Sequence, residues 1–165
     1  REEKRFQAIL AIWTALKDAQ GKLLISISPL KQYPTILGLR PDKQQALLRE
    51  LGLTEWQTSE VLEASDRQKA LQKVLDRCRF NDAAMEFNKL DQVTRAHELF
   101  FEPALFTKIR DVCDKMHSSL VSRELAISED DHAMGREAWM EYSKECVPLI
   151  SELVAELRSL LGEAQ

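Results

Sequence analysis

Apolar residues return every three or four positions through most of this chain, and that spacing confines it to long amphipathic helices that hide one side against one another. The first stretch, Glu2 to Ser28, carries Phe6, Ile9, Trp13, Leu16, Gln20, Leu23 and Ile27 at alternating steps of three and four, a heptad seam for one facing surface. At the usual helical rise it is a rod about 40 Å long. Gly21 weakens its middle by about 1 kcal/mol relative to Ala, and Pro29 stops it. A second rod is expected from about Asp66 to Glu98, through Leu71, Val74, Leu75, Cys78, Met85, Phe87, Leu90 and Val93. A third follows the turn of Phe100, Phe101 and Pro103, with its stripe from Leu105 to Ile127. A fourth follows the acidic cap at Ser128 to Asp131, with Trp139, Tyr142, Cys146, Leu149, Leu153, Leu157 and Leu160 on one face. Pro148 lies inside that last rod, so a kink is expected near Lys144.

Between the first and second rods the chain reads PLKQYPTILGLRP from Pro29 to Pro41, which no helix can run through. It is long and apolar for a plain turn, so it is expected to lie across the end of the bundle as a lid, with a groove for a ligand or partner as the alternative. Two short helices follow. Pro41 opens one and Gly52 closes it; Thr54 with Gln57 forms a capping box for the other, and Ser65 with Gln68 repeats the pattern. The expected fold is all-α: an antiparallel bundle of four long helices with a two-helix insert after the first, in a single domain over 1–165 with the hairpin at 41–65. With 5 glycines, 5 prolines and no period-2 run, sheet is not expected.

The same residues set aside most chemistry. A net charge of -4 speaks against an extended basic surface for nucleic acid. The hairpin around Gly52 has the outline of a helix-turn-helix, but its second helix offers Glu55, Gln57, Thr58 and Glu60 and no cation for phosphates, so a DNA-binding regulator is the weakest alternative. Cys78, Cys113 and Cys146 are dispersed without a CxxC pair and read as free buried thiols. Cys113 with His117, Asp114 with His117, and Glu129 with His132 have ligand spacing, yet no second pair completes a metal site. No motif for a nucleophile, a phosphate loop or a zinc protease is present. No catalytic residue, cofactor or metal is therefore assigned, and the chain is expected not to be an enzyme. An enzyme or small-ligand binder with a pocket near Cys113 and His117, or beneath the lid, is the alternative.

The stretches EEKRFQAILAIWTALKDA and FFEPALFTKIRDVCDKM resemble uncharacterised bacterial proteins in which a single membrane span runs directly into a cytosolic helical domain. The resemblance implies a tether upstream of Arg1 and a location in the cytoplasm at the inner face of the membrane; Arg1 to Arg5 read equally as the charged flank of such a span or as an ordinary solvated first turn with Glu2 and Glu3 on the helix dipole. The expected role is a non-enzymatic interaction or regulatory domain that binds protein through the apolar connection and any uncovered face of the first helix, with homodimerisation following if that face is open. Trp13, Tyr33, Ile36 and Leu37 are its expected contact residues.

Overall fold

The computed structural model describes residues 1–163. Among them every regular element is helical: α1 (Glu2–Ile27), α2 (Pro41–Glu50), α3 (Glu55–Glu63), α4 (Arg67–Ala96), a 3-10 turn (Glu98–Phe100), α5 (Pro103–Ser128), α6 (His132–Glu141), a π-helical turn (Tyr142–Cys146) and α7 (Val147–Glu163). The long rods are α1, α4, α5 and the α6–α7 pair, and α2 with α3 forms the short insert. The chain clusters into two compact units, one of residues 1–29 and 79–165 and one of 30–78. The hairpin expected at 41–65 lies inside the second, which begins at Leu30 and ends at Cys78.

In the first unit α1 packs on α5 and α7, and α5 also packs on α6 and α7. The buried stripe of α1 is Ala8, Ile9, Ile12, Leu16, Ala19, Leu23, Ser26 and Ile27, so the seam is rotated from the expected one. Its centre passes through Ile12 and Ala19, while Trp13 and Gln20 sit half-buried at its edge. Ala8 and Ala19 belong to the buried stripe, and counting only large residues misses them. The expected homodimer through an open face of α1 is overturned here, because Ile9, Ile12, Leu16 and Leu23 are consumed by the unit's own core with Ile109, Met116 and Ile150.

Gly21 lies on the exposed side of α1, where an added Cβ meets nothing within 4 Å. Gly21→Ala is therefore expected to raise stability by about 0.5–1 kcal/mol. A urea midpoint unchanged or lowered in that variant would contradict the helical, open setting of this residue.

The break expected at Pro148 takes the form of the π turn, in which the Val147 N–H donates to the Tyr142 carbonyl, five residues back rather than four. Pro148 has no N–H to continue the ladder, and widening by one residue accommodates the missing donor. Glu145 in this turn accepts from Lys115 of α5 at 2.9 Å. Before α6, Asp130 occupies the left-handed region at φ 50, and Asp131 then caps α6 by accepting from the N–H groups of Ala133 and Met134.

In the second unit the local signals act as read, with one exception. At the end of α2 the Leu53 N–H donates to Leu48 and the Gly52 N–H to Arg49, with Gly52 at φ 77, which is a Schellman closure. Thr54 and Gln57 cap each other reciprocally at the start of α3. The repeat expected at Ser65 and Gln68 does not form. Asp66 instead accepts from the Lys69 N–H at 3.0 Å, and Gln68 is turned elsewhere.

Candidate functional site

What Gln68 does explains how the proline-rich connection is held. Residues 29–36 adopt no helix or strand, so their backbone groups need partners from side chains. Gln68 Oε1 accepts from the Ile36 N–H at 2.8 Å, while Gln68 Nε2 donates to the Pro34 carbonyl at 2.9 Å. One amide thus addresses the backbone of two residues in an extended segment. Gln44 Nε2 donates to the carbonyls of Ile36 and Leu39, both at 3.2 Å, and Arg67 Nη1 donates to Gln44 Oε1 at 2.6 Å. The Tyr33 hydroxyl donates to Asp76 Oδ1. The segment then reverses in a turn where the Leu39 N–H reaches the Ile36 carbonyl and Gly38 takes φ 83, a value that Gly accepts and L side chains resist.

These ties seat Ile36 fully out of solvent against Leu48 of α2, Val61 of α3, and Leu71, Val74 and Leu75 of α4. Of the four contact residues expected from the sequence, Ile36 is therefore core, and Tyr33 is half-buried at the rim of the same cluster. Leu37, 58% exposed, is at the tip of the turn. Trp13 belongs to the first unit, where it packs on the core with Lys17 Nζ at 5.8 Å and the Arg158 guanidinium at 5.5 Å from its ring centre. The structure brings Tyr33, Ile36 and Leu37 together on one segment, and sequence reasoning missed Gln44, Gln68 and Asp76, which hold it.

The first unit contains the other groups with chemical potential. Cys113 and His117 lie one turn apart on α5, but the thiol is buried and the imidazole is exposed against Phe87 at 5.8 Å. His97 sets Nδ1 2.9 Å from the Val93 carbonyl. Asp114 faces Arg110 at 3.8 Å, and Arg110 also bonds Asp91 of α4 at 2.9 Å. Burial pushes the Cys113 thiol up to about 11, against the opposing effects of a hydrogen bond with Thr94 and of nearby Arg110. It pushes the Cys146 thiol up to about 12, with Ser119 opposing, and the Tyr142 hydroxyl also up to about 12. Among the described residues no group of three or more His, Cys, Asp or Glu side chains could hold a metal ion. An open depression of about 390 Å³ beside the start of α5 is lined by Arg1, Arg5, Phe100, Phe101, Glu102 and Pro103, with Arg5 and Glu102 3.6 Å apart across it.

Among the described residues no helix is long and apolar enough to cross a membrane. The resemblance to membrane-anchored bacterial proteins is accordingly corrected. The tether, the bacterial assignment and the location at the membrane face drawn from it are withdrawn, and the protein-binding regulatory role with them. No protein-family model, no curated protein and no solved structure matches this chain.

Proposed function

We propose that this chain is a non-catalytic helical framework, whose potentially reactive side chains are held in unreactive forms by the packing that builds its core. The observation that carries this reading is the setting of Cys113 and Cys146. A nucleophilic thiol needs its pKa drawn down toward neutrality by a cation or helix N-terminus. Here burial drives both the other way, to about 11 and about 12. A catalytic acid or base is likewise tuned toward the working pH, whereas Tyr142 is pushed away from it, to about 12.

Alkylation with iodoacetamide near neutral pH, followed by mass analysis of the peptides, tests the reading. Cys78, the half-buried thiol, should react first, and Cys113 and Cys146 only after denaturation. Rapid modification of either buried thiol in the folded chain would sink the proposal.

The same burial has a pH signature. The model-compound values are 9.0 for the thiols and 10.0 for the phenol, and the folded state holds these protons to higher pH. Folding is thus linked to proton retention: the contribution is whole below pH 9.0 and drains away as pH rises toward about 12. Urea midpoints should be level near neutrality and fall through that alkaline window. Cys146→Ala should fall less steeply than the parent, and identical slopes would argue against a thiol held neutral by burial.

A further inference from the structure

We draw no further inference here: the strongest candidate, the open depression between the start of α1 and the start of α5, balances its own charge in the Arg5–Glu102 pair at 3.6 Å, and beyond two helix N-termini nothing in the structure shows what covers it.

Discussion

Truncating Ile12 to Ala is expected to destabilise the first unit by about 2–5 kcal/mol, the range for removing three carbons from a packed site that cannot collapse around the loss. Ile12 is 0% exposed and sits at the centre of the α1 stripe, among the side chains that α5 and α7 present. A paired substitution tests the rotation of that stripe directly. Ala19 is buried where helices meet, so Ala19→Leu forces extra volume into a filled space and should cost about 1–3 kcal/mol. Gln20→Leu, at the edge, should stay within about 0.5 kcal/mol of the parent. Urea denaturation of the three variants reads all of these, and a Gln20→Leu variant as damaged as Ala19→Leu would return the seam to the position that large residues alone indicate.

The difference between those two seams shows where sequence was sufficient and where it was not. Signals that act within one turn of chain were legible: Thr54 with Gln57, Gly52 after α2, the acidic cap before α6 and the interruption at Pro148 all appear where the residues place them. Their physics is local, because each satisfies helix-end groups a few residues away. The face of α1 was harder, since Ala8, Ala19 and Ser26 are buried but carry little hydrophobic signal of their own. Gln68 failed for the opposite reason. Its spacing from Ser65 matched a capping box, but Asp66 took the cap, which released the amide for Ile36 and Pro34 more than thirty residues upstream. A polar side chain with two uses goes to the one that satisfies the more deeply buried group, and burial of the Ile36 backbone is not visible until the second unit is assembled.

That partition sets the outcome at Gln68. Gln68→Leu is expected to destabilise the second unit by about 2–4 kcal/mol, even though Gln68 itself is only half-buried and an exposed polar-to-apolar change is ordinarily near neutral. The cost lies in what is left behind. The Ile36 N–H, next to a side chain at 0% exposure, loses its acceptor, and the Pro34 carbonyl loses its donor. Pro34 is half-buried, so water can reach its carbonyl, and the stranded N–H carries most of the penalty. Gln68→Glu separates the two halves of the clamp: the carboxylate still accepts from Ile36 but cannot donate to Pro34, and should fall between Leu and the parent. Gln57→Leu is the control, because its partners Thr54 and Cys78 lie in exposed or part-buried settings, and it should cost about 1 kcal/mol or less. Urea unfolding followed at Trp56 fluorescence, on α3 of the same unit, orders the four proteins. If Gln68→Leu costs no more than Gln57→Leu, the proline-rich connection does not depend on the Gln68 amide, and these two contacts are incidental to it.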